Sequence, residues 1–280
     1  LYVLELVKGL ASRPEVEQVD LLTRLIQDRR VSSDYSQSKE VLSPGSSIIR
    51  IPFGPKRYLR KELLWPYLDD LADLLVAQLL KEKRLPDWIH AHYADAGYVA
   101  SLVCSRLEIP LVFTGHSLGR EKQRRLLEAG VDHEQIEQNY SISRRIDAEE
   151  LALAHSNLVI TSTRQEIEEQ YARYGNFVTK QAEVVPPGVD SSRFYPIINN
   201  DERKVVNDLL APFLREPSLP PFLTISRAVR RKNIPAMVEA FGRSSFLRQR
   251  HNLILVLGCR DDTRQLEKQQ RDVFQQVFEL

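Results

Sequence analysis

The stretch WIHAHYADAGYVASLVCSRLEIPLVFTGHS, residues 88–117, decides the fold. Its first six residues, 88–93, form a short apolar run that predicts a buried strand. Residues 95–107 then predict a helix, and residues 109–117 predict a second strand that ends in a loop. Two strands joined by a helix of this length form a βαβ unit, in which the strands run parallel. The stretch therefore predicts an α/β domain.

The same alternation continues on both sides of this unit. Helices are predicted at residues 1–12, 61–84, 119–155 and 163–174, and strands at 16–26, 47–53 and 158–163. The last helix opens with Thr163, and Glu166 follows three residues on, which is the spacing of a capping box. Strands and helices in this order indicate a mainly parallel sheet.

The segment VVPPGVD, residues 184–190, interrupts the alternation, because two prolines and a glycine fit neither a helix interior nor a central strand. A second alternation follows, with a strand at 222–227, a helix at 233–247 and a strand at 252–258. We therefore predict two facing Rossmann-like domains, residues 1–185 and the start of a second domain at 190–280. Ligands of open α/β sheets bind beyond the carboxyl ends of the strands, so the polar residues that follow each strand are candidates.

The charge balance excludes whole classes of partner. The 280 residues include 39 Lys and Arg and 38 Asp and Glu, which gives a formal net charge of +1. The chain has no global field for a nucleic acid or a membrane surface, so an anion must bind to a local cluster of charges. No apolar stretch reaches the roughly 20 residues that span a bilayer. We predict a cytoplasmic protein that binds neither nucleic acid nor membrane.

The two cysteines, Cys104 and Cys259, lie inside apolar runs. They predict buried thiols in a reducing compartment, without a disulfide framework. The chain opens at Leu1 in a helical pattern that no cap residue precedes, and it ends inside a charged helical stretch. We expect it to be a fragment of a longer protein.

The loop after the second strand of the opening βαβ unit carries the first candidate site. It reads TGHSLGREK, residues 114–122, and its glycines allow backbone amides to approach a ligand closely. His116 follows the strand directly, at a position where a side chain can touch a substrate. Arg120 and Lys122 begin the next predicted helix, and a helix N-terminus with a cation favours a phosphate. A capped loop with a solvated charged helix fits these residues equally well.

Two further groups of cations follow along the chain. Arg144 and Arg145 are adjacent in a helical stretch, so they point to different faces, and Glu149 or Glu150 could pair with them. From charge alone, a salt-bridged outer face is the simpler interpretation. The second group is RAVRRK, residues 227–232, which follows a predicted strand. A diphosphate leaving group needs such a cluster because its negative charge grows as the bond breaks, and the alternative is a basic surface turn.

The strand at 88–93 carries two histidines, His90 and His92, and Asp95 follows it. No cysteine or acidic partner completes a zinc pattern around the histidines, so we predict no metal site. A short acidic side chain at the start of a helix commonly caps it, and capping is the role that we predict for Asp95.

Several segments resemble sucrose-phosphate synthases. In chain order they are IRIPFGPKRYLRKELLWPYL (49–68), HAHYADAG (90–97), VFTGHSLGREK (112–122), RRIDAEEL (144–151), VITSTRQEIEEQY (159–171) and VVPPGVD (184–190). Any one of them is a weak signal, but together they cover most of the chain and are highly specific. The wider family comprises retaining glycosyltransferases, sucrose synthase among them, with two facing Rossmann-like domains of the GT-B type.

The resemblance implies transfer of glucose from UDP-glucose to fructose 6-phosphate, which yields sucrose 6-phosphate and UDP. The first domain would bind the acceptor and the second the donor, with UDP-glucose as co-substrate and no cofactor or metal. The residues that match the positions expected to bind the acceptor phosphate are Lys61, Lys122, Arg144 and Arg145. His116 matches a catalytic histidine near the transferred sugar and the acceptor. Arg227 and Lys232 match the catalytic pair that holds the UDP diphosphate.

The sequence departs from the family pattern in a few places. The family's glycine-rich loop would precede Leu1, and its donor-binding glutamates would follow Leu280. In the basic loop, Ala228-Val229 replaces the usual Pro-Asp, and Cys259 follows Gly258 where asparagine is common.

Two alternative functions stay open. A sucrose synthase would use unphosphorylated fructose, and the predicted cation set argues against it because a neutral sugar needs no such charges. A non-catalytic homologue that binds a sugar phosphate is compatible with the altered basic loop.

Overall fold

The computed structural model describes residues 2–83, 85–197, 199–258 and 266–280. The chain divides into two compact units, Leu1–Gly188 and Val189–Leu280. The division falls inside the segment VVPPGVD. Cys104 is buried and free, as predicted, whereas Cys259 lies outside the described residues.

The first unit alternates strands and helices along most of its length. Its strands are β1 (Val19–Arg24), β2 (Lys39–Ser43), β3 (Ser46–Ile51), β4 (Ile89–His92), β5 (Leu111–Thr114), β6 (Leu158–Thr161) and β7 (Ala182–Val184). Its helices are α1 (Tyr2–Ala11), α2 (Leu68–Glu82), α3 (Ala94–Leu107), α4 (Gly119–Glu128), α5 (His133–Tyr140) and α6 (Ile142–His155). The short strands β2 and β7 were not predicted.

Two sheets organise this unit. In the first the strand order is β1-β3-β2, with β1 and β3 parallel and β2 and β3 antiparallel. In the second the order is β4-β5-β6-β7, and every neighbouring pair is parallel. The predicted α/β class with mainly parallel strands is confirmed. The register places His92 of β4 beside Thr114 of β5, so the loops that follow both strands begin at the same edge of the sheet.

The core of the unit is centred on β5, all four of whose residues are buried. Helix α3 packs against α6 and against this strand. Gly97 lies at the closest approach, because a Cβ at this position would come within 2.7 Å of Phe113 Cε2 and 2.9 Å of Ala152 Cβ. The βαβ unit that decides the fold is therefore held by a contact that only glycine permits.

Three predicted helices in this unit differ from the observed ones. The helix predicted at 61–84 begins only at Leu68, because Pro66 has no amide hydrogen to donate and restricts the residue before it. The preceding residues form separate 3-10 turns at Lys61–Leu63 and Trp65–Tyr67. The stretch 119–155 comprises α4, α5 and α6, which are interrupted at Gly130 (φ 80°) and Ser141 (φ 45°).

The helix predicted at 163–174 is irregular. It contains a π turn at Glu166–Gln170 and a 3-10 turn at Tyr171–Arg173. Its predicted start is confirmed, since the amide of Glu166 donates to the Thr163 hydroxyl over 3.2 Å. The Glu166 carboxylate in turn accepts from the amide of Ser162 over 3.0 Å.

The second unit has one parallel strand pair, β8 (Pro221–Ser226) and β9 (Asn252–Leu257). Its helices are α7 (Asn200–Leu210), α8 (Ile234–Arg243), α9 (Ser245–Arg250) and α10 (Lys268–Glu279). The single helix predicted at 233–247 is two helices, because the Ser244 side chain accepts from the Leu247 amide and starts a new one. Among the described residues of the whole chain, no helix combines the length and apolar character needed to cross a membrane.

Replacing Gly97 with alanine tests the packing around β5. Gly97→Ala should lower the free energy of unfolding by about 1 kcal/mol or more, because overpacking a core costs about 1–3 kcal/mol and outweighs the helix propensity gained. The matched control is Gly9→Ala in α1, where an added Cβ meets nothing within 4 Å. Urea unfolding would measure both variants, and equal stability of the two would contradict this account of the packing.

Candidate functional site

The loop between β5 and α4 is held by backbone hydrogen bonds to side chains from distant segments. The Gly115 amide donates to the Tyr171 hydroxyl over 2.8 Å, and the Arg120 amide donates to the Tyr174 hydroxyl over 3.0 Å. A Cβ at Gly115 would lie 2.9 Å from the same Tyr171 oxygen, so glycine is required there. These bonds fix the segment that carries His116 and Lys122.

Glu149 of α6 completes the hold on this loop. Its carboxylate has no solvent exposure and accepts from the Gly119 amide over 2.7 Å. It also accepts from Arg145 Nε over 3.0 Å and from the Tyr174 hydroxyl. Arg145 is buried as well and donates to the Ser117 carbonyl. Burial raises the pKa of Glu149, and the Arg145 guanidinium opposes that rise. The pair is thus internal, which corrects the interpretation as an outer salt-bridged face.

These contacts also correct the predicted phosphate seat at the start of α4. The amides of Gly119 and Arg120 already have partners inside the protein, so the helix N-terminus does not offer them to a ligand. The Arg120 guanidinium pairs with Glu150 over 2.8 Å and lies 5.1 Å from the centre of the Tyr174 ring. Of the cations predicted in this loop, Lys122 therefore remains the candidate for binding a phosphate.

Lys61, Lys122 and Arg145 line one small pocket of the first unit. The other lining residues are Glu62, Trp65, Tyr93, Ala94, Asp95 and Tyr140. The Lys122 ammonium lies 3.2 Å from the centre of the Tyr140 ring, and that of Lys61 lies 5.3 Å from the centre of the Tyr93 ring. Lys61 and Lys122 are far apart in the sequence, and a tyrosine ring face helps to position each ammonium group in the pocket.

The charges around this pocket perturb one another. Burial, together with the positive charges of Arg145 and Lys61, lowers the pKa of Lys122 to about 8 against the opposing charge of Glu62. Burial raises the pKa of Asp95, while nearby amides and the charges of Lys61 and Arg145 oppose the rise. Asp95 is the second residue of α3, whose N-cap position is Tyr93. The predicted capping role is wrong in position, because Asp95 is not the N-cap residue; its carboxylate interacts with the amides of Asp95 and Ala96 in the first turn, and the side chain also lines the pocket.

Arg144 is the predicted acceptor cation that does not line this pocket. Its side chain is exposed, and its guanidinium lies 5.9 Å from the centre of the Trp65 ring. One of its nitrogens is 3.5 Å from the Trp65 carbonyl oxygen. Arg144 therefore lies beside Trp65, which lines the pocket, whereas the other predicted cations Lys61, Lys122 and Arg145 line the pocket themselves.

Three histidines adjoin this pocket at the ends of β4 and β5. The His90 Nε2 lies 2.9 Å from the Thr114 hydroxyl, and the His92 Nδ1 lies 2.9 Å from the His116 Nε2. The Tyr93 ring lies 5.3 Å from the His116 ring, so Tyr93 contacts both the histidines and Lys61. Tyr93 has φ 76° and ψ 164°, a conformation that residues other than glycine rarely adopt. Within the described ranges, no group of side chains has the composition of a metal site.

The second unit carries the predicted diphosphate cluster after β8. Arg227 and Lys232 are exposed, whereas Ala228 between them is buried. The turn closes through hydrogen bonds from the Val229 amide to the Arg227 carbonyl and from the Lys232 amide to the Val229 carbonyl, both 2.9 Å. In the part of the chain that the structure describes, neither Arg227 nor Lys232 forms an ion pair.

Comparison with known proteins identifies the family. The family model "Sucrose synthase first GT-B domain" matches residues 4–187. "Probable sucrose-phosphate synthase 2" of Arabidopsis thaliana is 36% identical over 336 aligned positions that cover 100% of this chain and 32% of that protein. The chain belongs to the sucrose-phosphate synthase family. It spans about a third of the length of the curated relatives that it matches.

Solved structures show the fold of this sucrose-phosphate synthase family member. The sucrose-phosphate synthase of Thermosynechococcus elongatus matches with a TM-score of 0.65 and 24% identity, over 94% of this chain and 57% of that one. The Anabaena protein HepE, solved in complex with UDP and glucose, matches with a TM-score of 0.60 and 15% identity, over 99% of this chain and 62% of that one. The GT-B glycosyltransferase fold predicted from the sequence is confirmed.

The sequence left several residues around the pocket unassigned. Tyr140 lies in a charged helical stretch, and no local pattern distinguishes it from a surface residue. Tyr171 begins the 3-10 turn after β6 and Tyr174 follows that turn. Of the two, only Tyr171 lies in a segment, residues 159–171, that resembles sucrose-phosphate synthases. The hydroxyls of these two tyrosines accept hydrogen bonds from a loop that lies 54–56 residues earlier in the chain. The local sequence gives no sign of such long-range bonds.

Removing Glu149 tests the network under the loop. Glu149→Ala should lower the free energy of unfolding by about 3–5 kcal/mol, because it leaves the Arg145 guanidinium buried and unpaired. The control is Glu128→Ala, which removes an exposed ion-pair partner of Arg124 on α4 and should cost at most about 1 kcal/mol. Chemical denaturation of both variants checks this, and similar midpoints would show that the buried network contributes little.

Proposed function

We propose that the protein to which this chain belongs transfers glucose from UDP-glucose to fructose 6-phosphate, with retention, and releases UDP. The observation that carries the proposal is the convergence of Lys61, Lys122 and Arg145 on one pocket. A sugar without a charged group would not require such a set. A phosphate, with three acceptor oxygens and up to two negative charges, is the chemistry that fits it.

The unpaired charges in this pocket support an anionic acceptor. Arg145 is neutralised by Glu149, but within the described residues neither Lys61 nor Lys122 forms an ion pair. The pKa of Lys122 is lowered mainly by burial and further by the neighbouring cations Arg145 and Lys61, with Glu62 in opposition. A bound phosphate would supply counter-charge to Lys61 and Lys122. His116, next to the shared Tyr93 ring, would then lie near the transferred sugar. Arg144, beside Trp65, would contribute a longer-range attraction.

The donor is assigned to the second unit. Arg227 and Lys232 follow the carboxyl end of β8, which is where open α/β sheets bind ligands. We assign them to the UDP diphosphate, whose charge increases as the glucosyl bond breaks, so that they would act in catalysis. The acceptor would bind to residues 1–185 and the donor to 190–280. We further propose that no cofactor or metal takes part and that the protein is cytoplasmic.

The mechanism needs few protein groups. With retention, the acceptor hydroxyl would attack the glucosyl group on the same face from which the UDP phosphate departs. No side chain of the protein need then form a covalent bond with the sugar. The residues named here would bind the acceptor and stabilise the departing charge.

The decisive test uses the full-length protein, UDP-glucose and either fructose 6-phosphate or fructose, with UDP release as the readout. Release with fructose 6-phosphate and little with fructose is the expected result. Equal rates would favour a sucrose synthase, an alternative that the match to a sucrose synthase domain model keeps in view. No release with either acceptor would favour a binding protein without transferase activity.

Substituting Lys122 probes the acceptor pocket. Lys122→Met should weaken the apparent affinity for fructose 6-phosphate about ten- to a hundredfold, because a charge-assisted hydrogen bond contributes about 1.5–3 kcal/mol. The control is Arg125→Met on the same helix, whose side chain is 67% exposed and pairs with Glu121. Steady-state kinetics would measure KM for each substrate. An unchanged KM for fructose 6-phosphate in Lys122→Met would remove this residue from the acceptor site.

The lowered pKa of Lys122 predicts a pH dependence. Because its pKa is about 8 in the free protein, Lys122 loses its proton as the pH rises through that value. The affinity for fructose 6-phosphate should therefore be full below pH 7 to 8 and decline above it. Lys122→Arg keeps its charge at these pH values and should flatten the decline. Titration calorimetry of the wild type and of Lys122→Arg between pH 7 and 9.5 would measure the affinity for fructose 6-phosphate. Identical pH profiles for the two would refute the assignment of Lys122 to the acceptor site.

A further inference from the structure

His92 meets His116 across the edge of the sheet where β4 and β5 end. Nδ1 of His92 and Nε2 of His116 are 2.9 Å apart. Their ring centres are 5.1 Å apart and their planes differ by 25°. Two imidazoles joined edge to edge by an in-plane hydrogen bond have this arrangement, so the contact is a directed bond.

His92 is held from its other side as well. His90 lies two residues earlier on β4, so both side chains are on the same face of the strand. Their ring centres are 4.1 Å apart, and the His90 Nε2 lies 2.9 Å from the Thr114 hydroxyl. A chain of contacts from Thr114 through His90 and His92 thus reaches the His116 ring.

We propose that His92 is a positioning residue that fixes the ring of His116, couples its tautomer to that of His92 and leaves the His116 Nδ1 as the nitrogen available to a ligand. A neutral imidazole has one N–H and one lone pair, and the bond to His92 uses whichever of these Nε2 carries. Nδ1 must then carry the other. In the described part of the chain, Nδ1 of His116 has no hydrogen-bond partner, so it is free to bond a sugar hydroxyl.

The environment keeps the pair neutral. Burial, with the nearby His90 and His116, lowers the pKa of His92 to about 3. Burial lowers the pKa of His90 to about 4, and partial burial lowers that of His116 although Glu166 opposes it. At neutral pH the bonded nitrogens therefore share a single proton. Without the partner, a neutral histidine would exchange between two tautomers, and the His116 ring would be held only by its contacts with the rings of Tyr2 and Tyr93.

The role in transfer rests on the proposed function, but the bond itself does not. The variants are made in the full-length protein. His92→Leu removes the bonding nitrogen, whereas His92→Asn places an amide close to the position of Nδ1. The control is His133→Leu, which replaces an exposed histidine at the start of α5, away from the site. Thermal unfolding establishes that each variant is folded.

Two readouts are needed. In protein labelled with ¹⁵N-histidine, His116 should show one neutral tautomer in the wild type and in His92→Asn, and a mixture in His92→Leu. In the transfer assay, kcat should fall roughly ten- to hundredfold in His92→Leu, with a much smaller change in KM for fructose 6-phosphate. His92→Asn should recover most of the loss.

The outcomes separate the two proposals. A single unchanged His116 tautomer in His92→Leu would overturn the positioning role, whatever the enzyme does. An altered tautomer with unchanged kcat would show that the bond exists but does not serve transfer, which also overturns the proposal. If the wild type transfers no glucose to either acceptor, the proposed function fails, while the NMR measurement still decides whether His92 sets the His116 tautomer.

Discussion

A carboxylate with no access to solvent lies where three segments of the first unit meet. Glu149 of α6 receives hydrogen bonds from Arg145 of the same helix, from the first amide of α4 and from Tyr174. A charge in such a place is tolerable only when charged or polar donors replace water on it. Because it satisfies these donors together, Glu149 fixes the loop between β5 and α4 relative to α6. The positions of His116, Lys122 and Arg145 all depend on that loop and that helix.

The neighbouring cations fall into two groups. Arg120, Arg124, Arg125 and Arg145 each have a carboxylate partner, and Glu121, which pairs with both Arg124 and Arg125, is itself buried. By contrast, Lys61 and Lys122 face aromatic rings in the pocket. The ring faces attract a cation but carry no net charge, so they place the ammonium groups without neutralising them. Glu62 and Asp95 also line the pocket, but within the described residues neither forms an ion pair with Lys61 or Lys122, so both ammonium groups keep the charge that attracts an anion.

The fold could be predicted from the sequence because the patterns that specify strands and helices are local. The run at 88–117 predicts β4, α3 and β5 in the right order and close to their observed positions, and Pro66 marks the interruption before α2. The site was harder to predict from the sequence, since it is made by contacts between residues 18 to 79 positions apart, such as Lys122 with Tyr140 and Arg144 with Trp65. Periodicity does not show that Arg145 points inward while Arg144 is exposed, or that Asp95 lines a pocket. The resemblance to a family singled out the four cations predicted to bind an acceptor phosphate, and the structure shows that three of them line one pocket.

Tyr93 joins the cation pocket to the histidines, and its backbone at φ 76° and ψ 164° is strained by about 1–3 kcal/mol relative to ordinary conformations. The strain persists because the surrounding strands and helix outweigh it. Loosening of those elements would let Tyr93 relax and would disturb its contacts with Lys61 and His116. The protein should therefore lose ligand binding on warming before it loses its helices, through a local opening at the end of β4 and not through global unfolding.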